Sequence, residues 1–182
     1  MDLILKTFSI FLVFSFLTIS HTQSQGWDNR FFKMEIPSSW RRITPLENNT
    51  EPAIQRDSIN IYIMTKLTQL KDGGQLRVDI YESIENKKLN YKEYLAGMKQ
   101  DNMKVIYDKS FNTNNLISHE RKQILEGWDN GKPSYYYNTL WFIEGIERFY
   151  VFQWGSFNEK VHDDSLGFVK KNLLNSFTEK TD

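Results

Sequence analysis

SYYYNTLWFIEGIERFYVFQW, residues 134–154, carries large side chains at odd and even positions alike. Split at Gly145, it gives two strands, 134–143 and 147–154, that need cover on both faces. Leaving either face bare would expose far more apolar surface than the few hundred Å2 usual for a soluble monomer. The two strands are therefore read as adjacent and central, with Trp141 and Trp154 buried. Just before them, Asp129-Asn130-Gly131 offers a tight turn. It joins a strand over residues 117–128 to the pair, so three strands run as a meander.

Upstream, Phe32, Met34 and Ile36 alternate with Lys33 and Glu35, the period of a half-buried strand over residues 31–36. Pro37 stops its ladder, Ser38 and Ser39 suit a turn, and Trp40 opens a second strand over 40–43. These two read as an opening hairpin. Residues 58–66 are apolar on both faces, which predicts another covered strand. Gly73-Gly74 turns the chain into a strand where Leu76, Val78 and Ile80 alternate with Arg77 and Asp79. A further strand is read over 103–111.

Two helices can supply the cover. Asn90 with Glu93 makes a capping box, and Tyr91, Tyr94, Leu95 and Met98 form one stripe behind it. A second helix is read after Asp163, Asp164 and Ser165, with Leu166, Val169, Leu173 and Leu174 as its stripe and Lys170 and Lys171 opposite. The sum is an α+β fold: an antiparallel sheet of about six to eight strands with helices on both faces.

The first residues stand apart. Residues 8–19, FSIFLVFSFLTI, are apolar but for Ser9, Ser15 and Thr18. That run is shorter than the roughly 20 apolar residues of a membrane span and suits a signal-peptide core. Thr22 and Ser24 are the small residues a signal peptidase needs, so cleavage is expected after Ser24. Residues 1–24 are then a signal peptide and 25–182 one domain, with no transmembrane segment left after cleavage. There is no cysteine, hence no disulfide and no lipid-anchoring thiol. Export without cysteine points to a bacterial periplasm or exterior. The 23 basic and 23 acidic residues balance, which gives no electrostatic case for nucleic acid. Asn48-Asn49-Thr50 matches a glycosylation sequon, which in that setting reads as chance.

Motifs for chemistry are scarce. There is no thiol nucleophile, and Gly155-Ser156-Phe157 does not make a nucleophile elbow. His162-Asp163-Asp164 groups three metal-ligand types, but adjacent residues do not share a helical face. The simpler reading has Asp163 and Asp164 capping the last helix and His162 in solvent. Asp129-Asn130-Gly131 lacks the spacing of a calcium loop. No phosphate loop or dinucleotide fingerprint occurs. No catalytic residue, cofactor or metal ligand is expected, and a hydrolase relying on His119 or His162 is the least supported class.

The opening Phe-x-x-x-x-Ile-Pro-x-x-Trp pattern (31–40), the helix after a hairpin, the Gly145 to Trp154 hairpin and the closing LLNSF (173–177) resemble the PsbP-like superfamily. The resemblance spans residues 27–178. That superfamily includes the photosystem II PsbP subunit, a Ran-binding nuclear protein and many exported bacterial proteins. It implies an α/β/α sandwich and a role in binding or assembly, without catalytic residues. The expected function is an exported, non-enzymatic binding or accessory domain, acting on an envelope protein. The alternative is a carrier of a small apolar or aromatic ligand. Whichever aromatics the helices leave uncovered are the candidate surface, since tyrosine and tryptophan join an apolar ring to a polar handle. Trp128, Tyr135 and Tyr137 are the candidates, Trp128 foremost because it flanks the Asp129-Asn130-Gly131 turn.

Overall fold

The computed structural model describes residues 24–38, 40–42, 52, 54–56, 59–63, 67–69, 73–83, 89–98, 101–113, 116–172 and 174–181. The signal-peptide reading, apart from Ser24, lies outside these residues, as do Asn48-Asn49-Thr50, Ile43 and Leu173.

The aromatic hairpin is the centre of the main sheet. β10 (Lys132–Glu144) and β11 (Arg148–Ser156) pair antiparallel, with Trp141 opposite Phe152. β9 (Leu116–Asp129) pairs with the other edge of β10 and β8 (Met103–Thr113) lies beyond it. On the far side of β11 runs β7 (Gln75–Ser83). Its outer edge takes β5 (Ile59–Ile63) at one end, followed by β4 (Ile54–Arg56). At the other end it takes β6 (Leu67–Gln69), followed by β3 (Trp40–Arg42). Among the described residues this sheet has nine strands, each antiparallel to its neighbours. The count exceeds the six to eight read from pattern because, among the described residues, 40–42, 54–56, 59–63 and 67–69 are four strands of three to five residues. Such pieces are too brief for their alternation to be read.

The turn between β9 and β10 sits where the sequence puts it. Asn130 and Gly131 have φ of 50° and 76°, the left-handed pair of a two-residue hairpin turn. Helices lie on both faces of the sheet. On one side, α1 (Tyr91–Gly97) starts in the expected capping box: Asn90 Oδ1 accepts the Glu93 N–H at 3.1 Å and Glu93 Oε2 accepts the Asn90 N–H at 3.3 Å. Tyr91, Tyr94, Leu95 and Met98 pack there on Leu140, Phe142, Phe149 and Val151.

The other side carries Leu76, Val78, Ile80, Trp141, Ile143, Tyr150, Phe152 and Trp154. Its cover is α2 (Glu159–Asn172), a single 3-10 turn (Leu174–Ser176) and a second sheet. α2 begins about two turns earlier than the sequence reading, because Asn158 caps it rather than Asp163 or Asp164. Asn158 Oδ1 accepts the Val161 N–H at 3.2 Å. The inward stripe is then His162, Ser165 and Val169, all buried. His162 is therefore wholly enclosed and not in solvent.

The opening hairpin is also corrected. β2 (Phe32–Pro37) does not pair with β3; it forms a three-strand sheet with β1 (Ser24–Asp28) and β12 (Thr178–Glu179). Trp40, after the crossing, is buried and stacks on Trp154 with centroids 5.3 Å apart. Glu179 locks the closure. Its carboxylate accepts the Glu147 and Arg148 N–H groups at 3.2 and 3.1 Å, the Ile146 N–H, and the Tyr150 hydroxyl at 3.2 Å.

Candidate functional site

α1 spans only seven residues, so it covers one end of its sheet face, and the β9–β10 hairpin runs on past it. Beyond the helix lies a groove of about 600 Å3, lined by Leu125, Trp128, Asp129, Ser134, Tyr136 and Phe157 among others. Each wall has a local cause. Asn102 fixes the hairpin edge: its Nδ2 donates to the Glu126 carbonyl at 2.6 Å, and its own carbonyl accepts the Glu126 N–H at 2.9 Å. The hydroxyl end of Tyr136 lies against Gly155, where an added methyl would overlap its hydroxyl. Burial pushes the Tyr136 pKa up, so its hydroxyl stays a neutral hydrogen-bonding group. Phe157 meets the Tyr136 ring edge-on at 4.9 Å. The chain is held just past it, where the Asn158 N–H donates to Ser156 Oγ at 3.1 Å.

Two of these rings stand in solvent: Trp128 is 78% exposed and Phe157 73%. Of the three sequence candidates, Trp128 lines the groove, and Tyr135 and Tyr137 do not. Position along the hairpin, and not the side of the sheet, separates them. Trp128 stands opposite Pro133, Tyr135 opposite Glu126 and Tyr137 opposite Ile124, all on the α2 side by alternation. Trp128, at the hairpin end, reaches the groove. Tyr135 is exposed on the α2 side, and Tyr137 lies beside Glu159 in the first turn of α2. Phe157 was not singled out in the sequence. Its signal is a lone aromatic after Gly155-Ser156, just past the end of the strand alternation.

The histidines are elsewhere. His119 stacks on Tyr91 at 4.0 Å, and its Nδ1 lies 3.3 Å from Ser110 Oγ. His162 makes a chain with Thr139, Asp163 and Lys122. Nδ1 is 2.7 Å from Asp163 Oδ1, Nε2 is 3.1 Å from Thr139 Oγ1, and Lys122 Nζ is 2.7 Å from Asp163 Oδ1. Burial pushes the His162 pKa down, outweighing the Asp163 carboxylate, so the ring is neutral at pH 7. Nδ1–H then donates to Asp163, and Nε2 accepts from the Thr139 hydroxyl. The order resembles a nucleophile–base–acid relay, but Thr139 and His162 are both wholly buried. A hydroxyl no substrate can reach does no chemistry; the chain ties α2 to β9 and β10. Among the described residues, no cluster of three or more His, Cys, Asp or Glu is placed to hold a metal ion. No described helix is long and apolar enough to cross a membrane.

No protein-family model and no curated protein matches the sequence. Among solved structures, the fold matches cyanobacterial PsbP (CyanoP) of Synechocystis sp. PCC 6803, with a TM-score of 0.56 over 90% of this chain and 96% of that one. This chain has a PsbP-like fold. A protein of Bacteroides thetaiotaomicron VPI-5482 matches at a TM-score of 0.50, covering 88% of this chain and half of that one. The Ran-binding protein Mog1p of Saccharomyces cerevisiae is reached at 0.48, over 86% and 95%. Identities are 11%, 10% and 9%, so the likeness is one of backbone arrangement and transfers no site residue. On this PsbP-like frame, the exposed aromatic groove at the far end of β9 and β10 is a feature of the chain's own side chains.

Proposed function

We propose that this chain is an exported, non-enzymatic binding domain that captures a segment of an envelope protein in its aromatic groove. The observation that carries the reading is the pair Trp128 and Phe157, left largely exposed at a groove that Tyr136 also lines. Exposed aromatic anchors around a groove are what protein recognition uses, and few other surface features have the same energetic weight. Balanced charge supports a protein target over nucleic acid. The reading as a carrier of an apolar ligand has less support: the aromatic hairpin's inner side chains pack on one another and on their cover.

The test is paired capture from the native envelope with the full chain and its Trp128→Ala/Phe157→Ala variant. Recovery of the partner, measured by quantitative mass spectrometry, should fall at least about thirtyfold, the scale of a lost hot spot. The denaturation midpoint should not move, since exposed substitutions cost about 0.5 kcal/mol or less. Undiminished recovery would overturn the groove as the site. Export is tested separately: protein isolated from its native cell should begin near Gln25, and an intact segment 1–19 would exclude cleavage.

A further inference from the structure

The α1 side of the sheet changes character partway along. Beneath α1 the strands present Leu140, Phe142, Phe149 and Val151. Past its last turn they present Gln123, Asn138, Gln153, Arg77 and Asp79, the floor of a second cavity of about 340 Å3. These are cross-strand neighbours: Gln123 faces Asn138 across β9 and β10, and Gln153 faces Arg77 across β11 and β7. Gln123 and Asn138 are each 2% exposed, yet Gln123 Oε1 and Asn138 Oδ1 have no hydrogen-bond partner among the described residues. Native interiors almost always pair such oxygens. A face built for packing alone would carry apolar side chains here, as it does at Leu140.

We propose that this cavity binds an uncharged, hydroxylated molecule of single-ring size, such as a monosaccharide or cyclic polyol. The two unpartnered carbonyl oxygens call for donors, which hydroxyls supply. Arg77 Nε donates to Asp79 Oδ1 at 2.7 Å, so the floor's two charges cancel. A cation meets Arg77 and an anion meets Asp79; a neutral ligand meets neither penalty. The same hydroxyls accept from the remaining Arg77 N–H groups. Leu125, Leu140 and Met98 offer apolar surface to a ring's C–H faces. The volume lies at the small end of ligand pockets, which holds the ligand to about one ring.

Titration calorimetry on the full chain with glucose, N-acetylglucosamine and myo-inositol tests this, with choline and acetate as charged probes. At least one of the three should bind saturably, with an affinity that does not change between low and high salt. Gln123→Leu/Asn138→Leu should weaken it at least about tenfold while the thermal midpoint holds or rises, because unpaired oxygens are removed. Should the double variant fail to fold, Gln123→Met, closer in shape, should show the same weakening. Trp128→Ala/Phe157→Ala should leave this binding unchanged, as neither residue lines the cavity. No binding by any of the three, binding confined to the charged probes, or full affinity in the amide variants would overturn the proposal.

Discussion

Trp154→Ala should lower the free energy of unfolding by about 3–5 kcal/mol, the usual cost of truncating a buried tryptophan. Trp154 is wholly buried on β11, between β7 and β10. Its ring stacks on Trp40, and its Nε1–H donates to the His162 carbonyl at 3.3 Å. The substitution therefore empties the contact between the sheet, α2 and β3 at one point. Domains of this kind are stable by about 5–15 kcal/mol, so a large share of the margin is lost. Urea denaturation followed by far-UV circular dichroism should show a sharply lower midpoint. Full stability in this variant would contradict the packed two-sided core.

Glu120→Gln should flatten the acid limb of the stability curve. Glu120 is 3% exposed, beneath α2. It accepts from Trp141 Nε1 at 2.9 Å, Tyr107 Oη at 3.0 Å, Lys109 Nζ at 3.0 Å and Lys170 Nζ at 2.6 Å. One carboxylate so joins the edge strand β8, the central strand β10 and the helix. Burial pushes its pKa up, but the donors, Lys170 foremost, together bring it down to about 2 from an ordinary 4.5. Above pH 4.5 the carboxylate is ionised in both folded and unfolded chains, and its contribution is complete. Between 4.5 and 2 the unfolded chain takes up the proton first, so stability drains away as pH falls. A displacement of that size corresponds to roughly 3 kcal/mol. Thermal midpoints measured from pH 7 to 2 should fall through this window in the parent chain. The variant should begin lower at neutral pH and fall less. Superimposable profiles would show that the four donors do not hold the charge.

What the sequence makes legible is what neighbours along the chain decide. Asn90 and Glu93 are three residues apart, so their reciprocal cap is written locally, and the structure has it. The bulk of residues 134–154 demands two covered faces, and Trp141 and Trp154 are indeed enclosed. The small sheet was not legible. β12 is a Thr-Glu pair with no apolar pattern, and β1 begins at the residue where cleavage was read. Alternation in β2 says that one face is buried but not against which sheet, so β2 and β3 looked like partners. At α2, the adjacent acids resemble caps because the first apolar residue of the stripe in the sequence is Leu166, one turn past His162. The groove was half legible: Trp128 flanks a visible turn, whereas Phe157 depends on Tyr136 lying against Gly155. The polar floor was hidden because Gln123 and Asn138 sit on different strands and meet only through register.

The closure at Glu179 sets a clock on the molecule. The Glu35 N–H donates to Ser176 Oγ across 141 residues of chain, and β12 pairs with β2. Until residues 174–179 have left the ribosome, Phe32, Met34 and Ile36 lack the partners Leu174 and Phe177, and the β10–β11 turn lacks the carboxylate that takes its N–H groups. Contacts so distant in sequence form late, because loop closure must precede them. The opening strands thus cannot finish their packing until residues 174–179 have been made. A chain whose first strands must wait for residues 174–179 stays open to a translocation channel until then, an order of events that suits the proposed export.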